Sequence, residues 1–325
     1  MNYKELGRTG VKVSELCFGT MSFGGDANEE ASSRMFNACR DLGINFFDCA
    51  DGYSKGKAET ILGRLMAKDR DELVITSKCF VPMADDVNAR GGNRRHILRA
   101  VEASLGRLGT DRLDVLFMHR WDPVVPLEET LRALEKLVAD GKVLYLGASN
   151  YAAWQIAKGL GISERNNWPR FDVIQPMYSL VKRQAESEIF PLALAEDLAV
   201  ISYSPVGGGL LSGKYGKDKR PDAGRLMSNQ EYTNRYGEDW VFDVAEAFAA
   251  FANDRGVHPV SLAVAWAAAH PAVTCPIIGA RDLEQLTPSL KSLDIEMTED
   301  LRAEIAALSR TPPPATDRRE EQVAG

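Results

Sequence analysis

Residues 113–147 read LDVLFMHRWDPVVPLEETLRALEKLVADGKVLYLG and contain one complete unit of the predicted fold. The apolar run Leu113–Met118 predicts a buried strand. The apolar side chains that follow recur at the spacing of one helix face, namely Leu127, Leu131, Leu134 and Val138. Asp140-Gly141 is a natural glycine stop, and Val143–Gly147 is the next apolar run. The stretch therefore predicts a strand, a helix and a second strand in succession.

The same alternation recurs along the chain. Short apolar, β-rich runs number eight, and they are Leu16–Gly19, Asn45–Cys49, Leu73–Ser77, Leu113–Met118, Val143–Gly147, Val173–Gln175, Val200–Tyr203 and Thr274–Ile278. Helix-like stretches lie between them, and one carries the stripe Ile97, Val101, Leu105 and Leu108 before Gly109. Eight strands alternating with helices predict an α/β fold, a (β/α)8 TIM barrel with a closed parallel sheet.

The segments around this alternation predict three additions. Lys4–Leu6 and Lys12–Ser14 flank a glycine-containing turn, which predicts a β-hairpin that plugs one barrel end. Val206–Arg255 interrupts the pattern and predicts a long loop on the C-terminal face. We expect residues 1–310 to form a single barrel domain. The polar segment 311–325, which opens with Thr311–Pro314, is expected to be a disordered tail.

Composition narrows the classes of function. The chain has 39 basic and 46 acidic residues, a net charge of −7, which argues against binding to nucleic acid or to an anionic membrane surface. Its most apolar stretch, Val257–Val273, is too short and too interrupted to span a bilayer. The polar start has no signal-peptide pattern. The five scattered cysteines form no metal-ligand spacing, so we expect a cytoplasmic protein that holds no metal.

Polar residues follow most of the predicted strands. Because catalytic groups of such barrels collect at the C-terminal strand ends, we expect these residues to share one rim. In strand order they are Asp48 with Asp51 and Tyr53, Lys78, His119, Ser149-Asn150, Gln175, Tyr203-Ser204-Pro205 and Gly279-Ala280-Arg281. The set is large enough for a site that holds a cofactor.

Asp48, Tyr53, Lys78 and His119 together predict acid–base chemistry. A phenol has a pKa of about 10 and is a poor acid at neutral pH. A neighbouring lysine ammonium favours the phenolate and lowers that pKa, and an aspartate beside the lysine holds the ammonium charged and in place. Tyr53 then gives a proton to a carbonyl oxygen as hydride reaches the carbon. His119 donates a hydrogen bond to the same oxygen.

At these residues the sequence resembles the aldo-keto reductase superfamily, over nearly the whole chain to about Arg310. Within that superfamily it resembles a bacterial reductase close to the branch of the potassium-channel β subunits. The matching stretches are LCFGTMSFGG (16–25), NFFDCADGYSKGKAETILG (45–63), VITSK (74–78), DVLFMHRWDP (114–123), GASN (147–150), YSPVGGGLLSGKY (203–215) and PIIGAR (276–281). They stand in the right order on the right elements, so the resemblance is specific.

The resemblance implies NADP(H) bound across the C-terminal face of the barrel, with NAD(H) also accepted. It implies Tyr53 as general acid or base, tuned by Lys78 and Asp48. The nicotinamide carboxamide is implied to bind Ser149, Asn150 and Gln175, with Tyr203 stacked on the ring. Further implied cofactor contacts are Gly19, Thr20, Met21, Asp48, Ser204, Pro205, Val206, Gly207, Leu210, Gly213, Lys214, Ile278, Gly279 and Ala280.

The adenosine end matches the family less completely. Arg281 and Gln285 match residues near the 2′-phosphate, and a guanidinium suits a dianionic phosphate. Pro288 and Ser289 stand where family members often carry a carboxylate and an asparagine. The resemblance therefore implies a nicotinamide cofactor more firmly than a strict preference for NADPH.

The substrate side is predicted only by class. Aromatic residues that follow three strands, Phe23, Phe80 and Trp121, are expected to wall a pocket for a small aldehyde, ketone or sugar-like alcohol. A homo-oligomer is compatible with the sequence. Two alternatives stay open at this point: a nucleotide-sensing scaffold with weak turnover, like the channel β subunits, and an aldolase-type enzyme in which Lys78 forms a Schiff base.

Overall fold

The eight predicted strands close on themselves in a computed structural model of the protein, which describes residues 1–222, 224–318 and 320, without the side chain of Arg225. The barrel strands are parallel, and neighbouring strands follow the order of the chain. The eighth barrel strand closes the ring against the first. The barrel strands are β3 (Cys17–Gly19), β4 (Phe46–Asp48), β5 (Val74–Cys79), β6 (Leu113–Met118), β7 (Val143–Ser149), β8 (Phe171–Gln175), β9 (Ala199–Ser202) and β10 (Cys275–Ile278). The (β/α)8 prediction is confirmed.

Helices surround the barrel at the positions that the amphipathic stretches indicate. They are α1 (Glu29–Asp41), α2 (Lys57–Met66), α3 (Arg94–Leu108), α4 (Leu127–Ala139), α5 (Ala153–Asn166), α6 (Ile189–Ala195), α7 (Arg225–Ser228), α8 (Gln230–Tyr236), α9 (Asp239–Asp254), α10 (Pro259–Ala268), α11 (Leu283–Leu290) and α12 (Glu299–Ala307). Local chemistry sets their ends. Asn93 caps α3 by accepting from the His96 amide, and Gly109 ends it with a left-handed φ of 64°.

An antiparallel hairpin precedes the barrel, formed by β1 (Tyr3–Glu5) and β2 (Lys12–Ser14). Leu6 and Val13 of the hairpin segment are fully buried against side chains from inside the barrel. Several of these are the first residues of their strands, including Val74, Ala199 and Cys275. The predicted plug is therefore present at the N-terminal end of the barrel, and the opposite rim is left for the site.

The segment 206–255 contains more helix than the loop prediction implied. A 3-10 segment, Gly207–Ser212, leads into α7, α8 and α9. Phe248 and Val241 of α9 are fully buried, and this apolar packing makes helix more stable than loop there. The segment interrupts the alternation of strands and helices, as predicted, but much of it is helix and not loop.

The predicted tail, 311–325, lies partly outside the described residues, since 319 and 321–325 are not described. In its described part, residues 311–318 form no helix or strand, and Ser187 Oγ donates to the Pro313 carbonyl at 2.8 Å. Across the described residues, none of the helices is both long and apolar enough to cross a membrane.

Two helical glycines allow a test of the packing between α2 and α3. A Cβ on Gly63 would lie 2.4 Å from the Leu108 carbonyl oxygen, whereas a Cβ on Gly106 would meet nothing within 4 Å. We expect Gly63→Ala to lower the free energy of unfolding by about 1–3 kcal/mol, because the backbone at Leu108 must move to make room for the added methyl group. Gly106→Ala should leave it unchanged or raise it by up to about 1 kcal/mol. Chemical denaturation of both variants checks this, and equal effects would contradict the close packing.

Candidate active site

Lys78 lies at the centre of the four predicted catalytic groups. Its ammonium is buried and donates to Asp48 Oδ2 at 2.6 Å and to Asp48 Oδ1 at 2.7 Å. It also reaches the Cys49 carbonyl at 2.8 Å and the Tyr53 hydroxyl at 3.2 Å. These contacts join the end of β4, the turn after it and the end of β5. The predicted set Asp48, Tyr53 and Lys78 is therefore brought together.

Asp48 is held by two further donors. Thr76 Oγ1 donates to Asp48 Oδ1 at 2.8 Å, and Gln175 Nε2 donates to the same oxygen at 2.9 Å. Thr76 is absent from the sequence prediction. Strand alternation contains the signal for it, because Thr76 stands two residues before Lys78 and so points to the same face of β5. The carboxylate is thus fixed from three sides, which keeps the ammonium charged and in one position.

The tyrosine is a weaker acid than the sequence analysis expects. Burial raises the pKa of Tyr53 to about 12, and Lys78 opposes that rise without overcoming it. The expectation of a lowered pKa for Tyr53 was therefore wrong in its net direction. Burial destabilises the phenolate by more than the nearby ammonium stabilises it. At neutral pH Tyr53 carries its proton.

Lys78 itself stays protonated. Burial lowers the pKa of Lys78, but Asp48 and Tyr53 raise it by more, and the net pKa lies above its ordinary value. A Schiff-base lysine must be able to present a neutral amine. The close ion pair with Asp48 therefore disfavours the aldolase-type alternative.

His119 completes the group from the end of β6. Its ring lies edge-on to the ring of Tyr53, with 6.0 Å between centroids and 79° between planes. Burial, then the charges of Lys78 and Arg120, lower the pKa of His119 to about 3, so the imidazole is neutral. A neutral imidazole has one N–H to donate. His119 is thus placed beside the phenol as a hydrogen-bond donor rather than as a cation.

The next three strand ends form a connected polar group beside this set. Ser149 Oγ donates to the Gln175 carbonyl at 3.1 Å. The Asn150 amide donates to the His119 carbonyl at 2.9 Å, and Tyr203 Oη donates to Asn150 Oδ1 at 2.7 Å. The residues that the family resemblance assigns to the nicotinamide are therefore in one place. Their links to each other were not predicted, because each depends on the distance between separate loops.

The glycine run after β9 adopts backbone conformations that suit a phosphate cradle. Gly207, Gly208 and Gly209 have φ values of 60°, 66° and 102°. A Cβ at Gly209 would meet nothing within 4 Å, so a ligand can approach the backbone from the side where a side chain would lie. Lys214, at the end of the same segment, is exposed. These features fit a dinucleotide pyrophosphate, which needs close backbone approach and positive charge.

At the adenosine end, Arg281 and Gln285 contact each other. With its amide oxygen turned toward the guanidinium, Gln285 accepts from Arg281 Nη2 at 2.8 Å. Arg281 is exposed just before α11, which Asp282 caps by accepting from the Gln285 amide at 2.9 Å. Ser289 is buried in α11, so its side chain is not exposed to a ligand in this structure.

The three predicted substrate residues lie in different environments. Phe23 is fully buried, and its ring centroid lies 5.8 Å from that of Phe18. The structure therefore places Phe23 in the core and not on the surface of the site. Phe80 and Trp121 are half-buried. Trp154, which the sequence analysis did not name, packs 5.6 Å from Trp121 and is 60 % exposed.

A second charged layer lies behind β5. Glu59 is buried and accepts from Ser77 Oγ at 2.6 Å and from Arg107 Nε at 2.7 Å. The Asp51 amide donates to the Lys78 carbonyl at 3.1 Å. Burial and then the nearby Glu59 raise the pKa of Asp51 to about 7. Asp51, which the sequence places with the rim residues, thus contacts β5 through its backbone.

The fold and this rim define a (β/α)8-barrel protein with a cluster of titratable side chains at the C-terminal strand ends. The model of the aldo/keto reductase family matches residues 15–310. An uncharacterized oxidoreductase of Bacillus subtilis, YrpG, is 36% identical over 93% of this chain and 94% of its own. The chain belongs to the aldo/keto reductase family, and the expected family is thereby confirmed.

Other relatives in this family carry names that indicate different roles. A probable voltage-gated potassium channel subunit beta of Oryza sativa is 34% identical over 98% of this chain and 99% of its own. A versiconal hemiacetal acetate reductase of Aspergillus parasiticus is 32% identical over 92% of this chain and 94% of its own. The similarity to channel β subunits that the sequence indicated is therefore confirmed as well.

Proposed function

We propose that this protein is an NADP(H)-dependent oxidoreductase that interconverts the carbonyl group of a small aldehyde or ketone and the corresponding alcohol. The observation that carries the proposal is the contact of the Lys78 ammonium with both Asp48 and the Tyr53 hydroxyl, beside a neutral His119. Relatives named versiconal hemiacetal acetate reductase and norsolorinic acid reductase agree with this chemistry.

In the proposed reaction the side chains manage the proton and the developing charge. A reduced nicotinamide, when bound, supplies the hydride that reaches the carbonyl carbon. Tyr53 transfers its proton to the carbonyl oxygen, which is a downhill step because an alkoxide is a stronger base than a phenolate. Lys78 stabilises the phenolate that forms, and Asp48 keeps Lys78 charged. His119 donates a hydrogen bond to the same oxygen and so fixes its position.

The proposed cofactor contacts follow the rim from the reacting groups to α11. Ser149, Asn150 and Gln175 would hold the carboxamide, and Tyr203 would contact the nicotinamide ring. The open backbone of Gly207–Ser212 would hold the pyrophosphate. Arg281 would pair with the 2′-phosphate, for which its exposed position and its contact with Gln285 are suitable.

We expect Arg281→Ala to weaken NADPH binding by about ten- to a hundredfold, because a charge-assisted hydrogen bond contributes about 1.5–3 kcal/mol. NADH lacks the 2′-phosphate, so its affinity should barely change. Fluorescence titration of both cofactors measures the two dissociation constants. Arg132→Ala, which removes an exposed arginine from the outer helix α4, is the matched control. Equal losses for NADPH and NADH would show that Arg281 does not bind the 2′-phosphate.

The second candidate function, a nucleotide-sensing scaffold with weak turnover, is favoured by relatives named as probable channel β subunits. Steady-state turnover on a panel of aldehydes, compared with single turnover of bound NADPH, separates the two. Rapid multiple turnover supports the enzyme. A single slow oxidation of bound NADPH, without further cycles, supports the scaffold.

We also propose that the protein is located in the cytoplasm, a reducing compartment. Its assembly as a homo-oligomer is a further proposal. All five cysteines are buried and unpaired, which suits a compartment that keeps thiols reduced. Burial raises the pKa of each of these thiols, so their reactivity is low.

A further inference from the structure

Arg120 is a cation at the mouth of the site that the proposed reaction does not use. It directly follows His119 and is exposed at the C-terminal rim. Its guanidinium carbon lies 5.9 Å from the centre of the Phe80 ring, so the group lies over an aromatic side chain. Within the described part of the chain, no carboxylate forms an ion pair with it.

The segment that carries Arg120 is held by Asp122. The Asp122 carboxylate accepts from the Gly92 amide at 2.7 Å, from the Val124 amide at 2.9 Å and from the Val125 amide at 3.2 Å. The bond from Gly92 joins the loop after β6 to the loop after β5, which carries Phe80, and the other two bonds lie within the loop after β6. The backbone that carries Arg120 is therefore held in one conformation. For this reason less conformational entropy is lost when the guanidinium binds a ligand.

Two other cations of this region are already paired. Lys78 is neutralised by Asp48 at 2.6 Å, and Arg235 is paired with Glu231 at 3.2 Å. No carboxylate among the described residues pairs with Arg120. Its charge nevertheless reaches the reacting centre, because it contributes, after burial and Lys78, to the low pKa of His119. An uncompensated cation beside a neutral imidazole makes this side of the site attractive to anions.

We propose that Arg120 binds an anionic group of the substrate, a carboxylate or a phosphate, and that the natural substrates are carbonyl compounds carrying such a group. The inference rests on the proposed function for the carbonyl and adds the class of substrate. A guanidinium is planar and can give two parallel hydrogen bonds to either anion. The anion therefore sits at the rim while the carbonyl reaches Tyr53 and His119.

The test compares substrates that differ only in the charged group. Succinic semialdehyde is paired with its neutral methyl ester, methyl 4-oxobutanoate, and glyceraldehyde 3-phosphate with glyceraldehyde. We expect the protein to prefer the anionic member of at least one pair. Arg120→Gln should lower kcat/KM for that member by about ten- to a hundredfold, which is the effect expected from the loss of one charge-assisted hydrogen bond. The pair that responds identifies the anion as carboxylate or phosphate.

Two matched variants show whether the effect belongs to the charge at this position. Arg120→Lys keeps the charge but not the paired geometry, so it should retain part of the preference. Arg132→Gln removes an exposed charge from α4 and should change neither substrate. Equal losses on the charged and neutral substrates, or no loss on either, would overturn the proposal for Arg120.

A binding measurement separates this proposal from the proposed function. Succinate and inorganic phosphate are titrated into the protein with NADP⁺, and intrinsic tryptophan fluorescence, to which Trp121 next to Arg120 contributes, reports binding. Saturable binding of either anion that Arg120→Gln weakens at least tenfold supports the anion site even where no carbonyl is turned over. Absence of that difference together with turnover of neutral aldehydes rejects the anion site and retains the reductase.

Discussion

The Tyr53→Phe variant is expected to lose carbonyl reduction by about 10²–10⁴-fold, the usual contribution of a positioned general acid. Tyr53 is the proton donor of the proposed reaction, and its hydroxyl lies 3.2 Å from the Lys78 ammonium. Phenylalanine keeps the ring and its packing, so NADPH should bind as before. Initial rates with a turned-over aldehyde and fluorescence titration of NADPH measure the two properties separately.

A matched control removes a hydroxyl that lies away from the rim. Tyr145 Oη donates to the Thr9 carbonyl at 3.5 Å, beside the hairpin that closes the other end of the barrel. We expect Tyr145→Phe to reduce substrate at the rate of the original protein. Near-normal turnover in Tyr53→Phe would refute the acid–base mechanism, whereas loss of NADPH binding in that variant would point to a disturbed site.

The Lys78→Met variant is expected to have the second large effect, on turnover, on pH dependence and on stability. Without the ammonium the pKa of Tyr53 rises further, since Lys78 is the charge that lowers it. Alcohol oxidation needs the phenolate, so its rate at a given pH falls and its transition moves to higher pH. The buried Asp48 also loses its counterion, which costs about 3–5 kcal/mol of folding free energy.

A double variant separates the two consequences of Lys78→Met. Adding Asp48→Asn removes the unpaired buried charge, so stability should return toward the original value in denaturant unfolding. Turnover and the pH–rate profile should stay impaired because the phenol still lacks its cation. An unchanged pH–rate profile in the single variant, with little loss of rate, would remove Lys78 from the mechanism.

The four-residue site was predictable because of a general property of parallel barrels. Every strand runs in the same direction, so residues that end different strands must meet at one rim. Asp48, Lys78 and His119 lie at or next to the ends of three successive strands, and Tyr53 follows the first of them by a short turn. Their proximity therefore follows from the order of strands and helices and needs no knowledge of side-chain packing.

The long-range contacts of the rim were not predictable in the same way. The link from Tyr203 to Asn150 and the position of Arg120 over Phe80 each join loops that are far apart in the chain. Periodicity describes which face of an element a residue occupies and not the distance between two loops. Such contacts depend on loop conformations that the whole barrel determines together.

The sequence by itself determined the eight-stranded barrel, the hairpin at its N-terminal end and the rim on which the site lies. These depend on local patterns, the apolar runs, the helix stripes and the glycine stops, which act over a few residues. Tertiary structure alone decided that Phe23 is fully buried, that much of 225–255 is helical and that Tyr53 has a raised pKa. Each of these depends on how far water is excluded by distant parts of the chain, and exclusion of water is a property of the packed molecule.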